Sequence, residues 1–195
     1  MKKIALMVLA LVQILSCNTS SGNKEKEPGI ESKVIKKEKF FPVTDYLKGQ
    51  VYEIINKGFT PVKYTTRNGH TDSSWLKAES LSETFKEFLH PEIDSTNLTG
   101  LFTEKKFLDQ SINAITFSYD PSGTLPDSMN LRHWDVYIDP ELGTVKRVYL
   151  VKSIGTDKIL QLTWINDKWC KLTTIKDLPN GSSMVEMEEK INWDF

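Results

Sequence analysis

The chain has 195 residues, 39% of them hydrophobic, which suits one domain with a sizeable core. Its 25 Lys and Arg nearly balance its 26 Asp and Glu, giving a net charge of −1 with no basic stripe, and this excludes an electrostatic nucleic-acid binder. Two cysteines, Cys17 and Cys170, are too few for a disulfide framework.

Lys2 and Lys3 precede an apolar run from Ile4 to Leu15 that only Gln13 interrupts, the pattern of a secretory leader. The run is too short to span a bilayer comfortably. It ends in Ile14-Leu15-Ser16-Cys17, which resembles the lipobox of bacterial lipoproteins. The resemblance implies that residues 1–16 are a signal peptide and that Cys17 is lipidated and becomes the mature N-terminus. The protein would then be exported and held at a membrane by its lipid, since several acyl chains exceed the two-signal threshold for stable anchoring. Residues 17–39 are polar and rich in Lys, Glu, Ser and Gly, the composition of a disordered tether. Tether and domain together resemble lipoproteins of the Bacteroidota, in which acidic residues just after the lipidated cysteine mark export to the cell surface. Asn18-Thr19-Ser20-Ser21-Gly22-Asn23 contains none, so the resemblance implies an outer-membrane anchor facing the periplasm. It brings no functional family for the domain, residues 40–195.

Thr44 is a candidate N-cap for a helix to about Lys57, with Leu47, Val51, Ile54 and Ile55 as its apolar stripe and Gly58 at C′. Asn68-Gly69 is a hairpin signal, but its flanks alternate poorly, so Pro61 to Leu76 reads as an exposed hairpin or long loop. Ser80-Leu81-Ser82-Glu83 matches a capping box ahead of a second stripe, Leu81, Phe85, Phe88 and Leu89. Asp94 or Ser95 starts a short third helix through Phe102.

From Ile112 to Phe195 the chain reads as six strands joined by short turns. A turn at Asp139-Pro140-Glu141-Leu142-Gly143-Thr144 closes Ile138 onto Val145, a four-residue loop at Gly155 to Lys158 sets Tyr149 opposite Trp164, and a two-residue Asn166-Asp167 turn sets Trp164 opposite Trp169. Period-two alternation then collects Trp134, Val136, Ile138, Val145, Tyr149, Val151, Leu160, Leu162, Trp164 and Trp169 on one inner face, with Arg147 and Lys171 among them. His133, Asp135, Tyr137, Asp139, Lys146, Lys152, Gln161 and Thr163 fall on the other, beside apolar islands at Val148, Leu150, Cys170 and Leu172. Cys170, mid-strand and alone in an exported chain, reads as a buried thiol. The expected fold class is therefore α+β, with two or three N-terminal helices packed on a twisted antiparallel sheet of about six meander strands.

No HExxH, GxSxG, CxxC or Gly-rich phosphate loop occurs, and His70, His90 and His133 share no metal-ligand spacing. No catalytic residue, metal ligand or cofactor is assigned. His133 and Asp135 share a face, as a base and its orienting carboxylate would, but two polar residues on a solvated face look the same. Arg147 and Lys171 are the anomalies, because a charge on an apolar face must be paired, reach the rim, or meet a ligand. Pairing, with Glu53, Glu83 or Glu87 as partner, is one reading. The other makes Arg147, with Trp134, Tyr149, Trp164 and Trp169, the floor of a pocket for an amphipathic or anionic ligand. The expected function is a lipid-anchored envelope protein acting as a non-catalytic binding or assembly module, with an envelope protein or a small amphiphile as partner besides the membrane. The alternatives are a carrier holding a small amphiphile in a cavity over the sheet and, more distantly, a hydrolase.

Overall fold

Alternating apolar and polar residues, punctuated by turns that require positive φ, dictate most of this chain. In the computed structural model the described residues are 39–194; the segments expected to be leader and tether, with the expected lipidation site Cys17, lie outside them up to residue 38. The described strands are β1 Val62–Arg67, β2 His70–Trp75, β3 Phe102–Asp109, β4 Ala114–Pro121, β5 Leu131–Ile138, β6 Val145–Ile154, β7 Lys158–Ile165, β8 Trp169–Asp177 and β9 Ser183–Asn192. They form one antiparallel sheet of nine strands in the order β2-β1-β9-β8-β7-β6-β5-β4-β3. The helical segments are α1 Val43–Asn56, a 3-10 turn Ala78–Ser80, and two single turns, α2 Leu81–Thr84 and α3 Lys86–Leu89.

This corrects the expected class of two or three helices on about six strands. Sheet dominates: to the strands after residue 112 it adds β1 and β2, the hairpin that was one of two readings of their segment, and β3, from a stretch given no strand. β1 and β2 form the hairpin whose flanks alternate poorly, and the reason is position: all six residues of edge strand β2 are exposed, so no buried face imposes a period of two. The Asn68-Gly69 turn itself is as expected, with φ of 52° and 78°. β3 is the opposite edge, and its Thr-Glu-Lys-Lys start carries charge where a central strand would carry Val or Ile. Residues 94–101 form turns, not a third helix. The capping box fails as well: Ser80 Oγ donates backwards to the Lys77 carbonyl at 2.7 Å, and the second stripe is split between α2 and α3.

Helix α1 buries Val43, Thr44, Leu47, Val51 and Ile54. Thr44 lies inside the helix instead of capping it, and its buried Oγ1 accepts the Ile93 N–H at 2.8 Å. Gly58 does end the helix, with φ 67° and its N–H on the Ile55 carbonyl. The apolar core gathers α1, α2 and α3 with one face of the sheet around two aromatic groups. Trp164 meets Phe85, Phe88 and Trp193 at ring distances of 5.1, 5.3 and 5.0 Å, and Trp134 stacks on Tyr119 at 4.5 Å with Phe102 at 4.6 Å.

The inner face also needs correction, strand by strand. Ile138 does pair with Val145, but a bulge between Tyr137 and Ile138 inserts Lys146, so Val148 and Leu150 face the core where Tyr149 and Val151 were expected. The next loop has three residues, pairing Ile154 with Lys158, and this second change of parity restores Leu160, Leu162 and Trp164 to the inside. The loop after β7 also has three residues, Asn166 to Lys168, with Asp167 at φ 57°. Trp164 therefore pairs with Cys170, and Trp169 lies on the outer face. The charge on the inner face is accordingly Lys152, almost wholly buried. Its ammonium donates to the Glu87 backbone carbonyl and lies 3.2 Å from the Glu87 carboxylate. The carboxylate from the helical half that was expected to face Arg147 faces Lys152 instead, further along the same strand β6.

Candidate functional site

Cross-strand register builds the site on the outer face. Phe107, Thr116, Tyr137, Arg147, Ile165 and Trp169 are successive partners across six strands and form one row. The next row runs Lys105, Ser118, Asp135, Tyr149, Thr163 and Lys171. Beside the first row, Ile112, Ala114, Tyr137, Lys146, Arg147 and Ile165 bound a groove of about 210 Å³.

Two cations flank this groove in different ways. The Arg147 guanidinium lies over the Tyr137 ring, its Cζ 3.8 Å from the centroid, and among the described residues it has no carboxylate at salt-bridge distance. Asp109 is held below the usual carboxylate range chiefly by a hydrogen bond from Ser111, with a smaller contribution from Arg147. Lys146, carried outward by the bulge, donates to the carbonyls of Asn113 at 3.2 Å and Ile112 at 3.4 Å. Below, Thr116 Oγ1 is buried without a hydrogen-bond partner among the described residues, on the residue directly across from Tyr137.

A chain of polar groups fixes the Tyr137 ring. Lys105 Nζ lies 2.9 Å from Asp120 Oδ2; Asp120 Oδ1 is 2.9 Å from His133 Nδ1; His133 Nε2 is 3.0 Å from Asp135 Oδ1. Tyr137 OH donates to the other Asp135 oxygen at 3.0 Å. The Asp135 hydrogen bond raises the His133 pKa above its ordinary value against the cost of burial, and Asp120 adds to it. Burial pushes the Asp135 carboxyl up, but hydrogen bonds from His133, Ser118 and Tyr137 outweigh this and its pKa is lowered. With a carboxylate on each ring nitrogen, His133 is biased toward its protonated form and links β4 to β5. Burial first, then the Asp135 charge, raises the Tyr137 pKa, so its hydroxyl stays a donor at neutral pH.

The five residues assigned to one pocket from sequence do not meet. Trp134 and Trp164 have no exposed surface and belong to the core, while Arg147, Tyr149 and Trp169 are half-buried on the outer face. Trp169 carries Lys190 above its ring at 5.0 Å, and Tyr149 lies 6.4 Å from the His133 ring. Lys171, the second anomaly, is outside too and paired with Glu188 at 3.2 Å. Sequence reasoning missed Ile112, Tyr137, Lys146 and Ile165. One signal pointed to them: Val145-Lys146-Arg147-Val148 sets two apolar residues three apart in a strand, a spacing that demands a bulge.

Among the described residues no three His, Cys, Asp or Glu side chains converge to hold a metal ion, and no helix is long and apolar enough to cross a membrane. Fold and groove describe a large antiparallel sheet with helices over one face and an exposed, cation-flanked depression on the other. No family model, no curated protein and no solved structure matches this chain.

Proposed function

We propose that the protein is a lipid-anchored envelope protein facing the periplasm and acting as a non-catalytic binding module, with the outer-face groove as its binding site. The address rests on the Lys2-Lys3 start, the Ile4 to Leu15 run and Ser16-Cys17. The observation that carries the binding reading is Arg147, a permanent cation laid on the Tyr137 ring beside apolar Ile112, Ala114 and Ile165, with no carboxylate of the described residues at salt-bridge distance. A fixed guanidinium next to apolar walls suits a ligand with an anionic head and a short apolar stretch. At about 210 Å³ the groove is smaller than the roughly 300–1,000 Å³ of sites that enclose drug-sized ligands, so it would hold the head and the first few carbons.

The amphiphile-carrier reading moves with this site. A cavity over the inner face would have to displace α1 and the Phe85, Phe88 and Trp193 rings, whereas the outer groove is open. The hydrolase reading gains nothing from His133, whose ring nitrogens are both engaged by carboxylates, so that neither is free to meet a substrate.

The test is calorimetric titration of the purified protein with dodecanoate below its micelle concentration, with dodecylammonium as the cationic counterpart. Loss of one charge-assisted hydrogen bond is worth about 1.5–3 kcal/mol, so Arg147→Met should weaken dodecanoate binding roughly 10- to 100-fold while leaving the unfolding midpoint nearly unchanged. Equal affinity for both surfactants, or for both protein forms, would overturn the reading.

A further inference from the structure

The two edges of the sheet are built differently. Edge strand β3 presents Glu104, Lys105 and Lys106, and Lys39 and Phe40 border one cavity with Thr103 and Glu104, so the chain entering the domain runs beside it. Charge and a neighbouring segment are the usual means by which an edge is kept from pairing with another chain. Edge strand β2, at the other end of the strand order, carries a single carboxylate, Asp72. Its residues His70, Thr71, Asp72, Ser73, Ser74 and Trp75 include no Lys, Arg or Pro, pair with β1 without a bulge, and are all exposed. A regular, six-residue edge of this kind is a template for a further antiparallel strand.

The sequence of β2 also says which strand fits. Two copies related by a twofold axis pair residues of the same parity, because the backbone groups on one edge belong to alternate residues. Centring the axis on Asp72 would set the two Asp72 carboxylates against each other. Centring it on Ser73 sets Ser73 opposite Ser73, Asp72 opposite Ser74, and Thr71 opposite Trp75. That register has no like charges face to face, and it places a β-branched residue against an aromatic one at both ends, a favourable cross-strand pair. We infer that β2 pairs with β2 of a second copy of this chain in the register centred on Ser73, joining the sheets of two protomers into one.

A ladder of this length buries less than a standard interface, so the pairing is weak in free solution and strengthens at high local concentration. Disulfide trapping of the full chain under mild oxidation tests it. Ser73→Cys should form a covalent dimer in several-fold higher yield than Ser74→Cys or the β3 control Lys105→Cys, over the background set by the parent chain. In the Ser73→Cys background, Ser74→Asp places a carboxylate opposite each Asp72 and should cut the yield several-fold, while Ser74→Lys should raise it. All these positions are on exposed edges, and the circular dichroism spectrum verifies that each variant folds. Equal yields from the three cysteines, indifference to Ser74→Asp, or trapping of a different protein in place of the second copy would each overturn the inference.

Discussion

Replacing Lys152 by Met should leave the protein as stable as before, although Lys152 is the most buried charge among the described residues. Its stem lies in the core row with Leu131 and Leu160, and its ammonium is held by the Glu87 carbonyl and carboxylate. Two opposed quantities decide the outcome. Burial lowers the Lys152 pKa, with Glu87 offsetting only part of this, so the fold bears a desolvation cost for the charged form that Met does not have. Against it stands the lost donor to the Glu87 groups, whose side chain is 41% exposed and can turn to water. Lys152→Met therefore should change stability by less than about 1 kcal/mol in either direction. Lys152→Ala removes three of the four buried methylenes as well and should cost roughly 2.5 kcal/mol at about 0.8 kcal/mol each. Because the folded pKa is below the unfolded one, the wild type should gain stability as pH rises through the window between them, towards 10.5, and the Met variant should lack that rise. Guanidinium unfolding at pH 7 and pH 9.5 with unchanged m-values reads all three effects. If Lys152→Met is as damaging as Lys152→Ala, the ion pair and not the buried stem holds this region, and the reasoning fails.

Trp164→Ala should cost about 3–5 kcal/mol by emptying the core, whereas Trp169→Ala on the outer face should cost under about 1 kcal/mol, both read from denaturant midpoints. The raised His133 pKa means that its bonds to Asp120 and Asp135 contribute fully below about pH 6.5 and are lost as pH rises through the folded value; His133→Gln should flatten that part of the stability profile. For the proposed anchor, Cys17→Ser should leave an unprocessed precursor that incorporates no labelled fatty acid, and incorporation would remove the lipid-anchored reading.

Periodicity is readable in a sequence, but the phase that assigns it to a face is set at turns and bulges. β5 and β7 kept the inner residues their alternation named, Trp134, Val136, Leu160, Leu162 and Trp164, because the bulge at Lys146 and the short loop after Ile154 reverse the phase twice between them. β6 and β8 each lie after one uncompensated reversal, so Arg147, Tyr149 and Trp169 went outside while Val148, Leu150, Cys170 and Leu172 went in. Those four had been visible as apolar islands on a supposedly solvated face, a pattern that costs free energy unless the face is the core. Edge strands were the hardest to see, since β2 and β3 lack a buried row to mark them. The groove shares this origin: its lining follows from a bulge that repositions Lys146 and Arg147 together.

Whether ligand binds the outer groove or the inner face is decided most directly by the indole N–H resonances of the described tryptophans during a dodecanoate titration followed by NMR. Trp169 is in the row of Arg147 and Ile165, whereas Trp134, Trp164 and Trp193 are sealed in the core. The Trp169 signal should shift in a saturable manner, with the core three unmoved, and Arg147→Met should move that saturation to roughly 10- to 100-fold higher dodecanoate. Movement of the Trp134 and Trp164 signals with Trp169 stationary would contradict the account and put the ligand on the other side of the sheet.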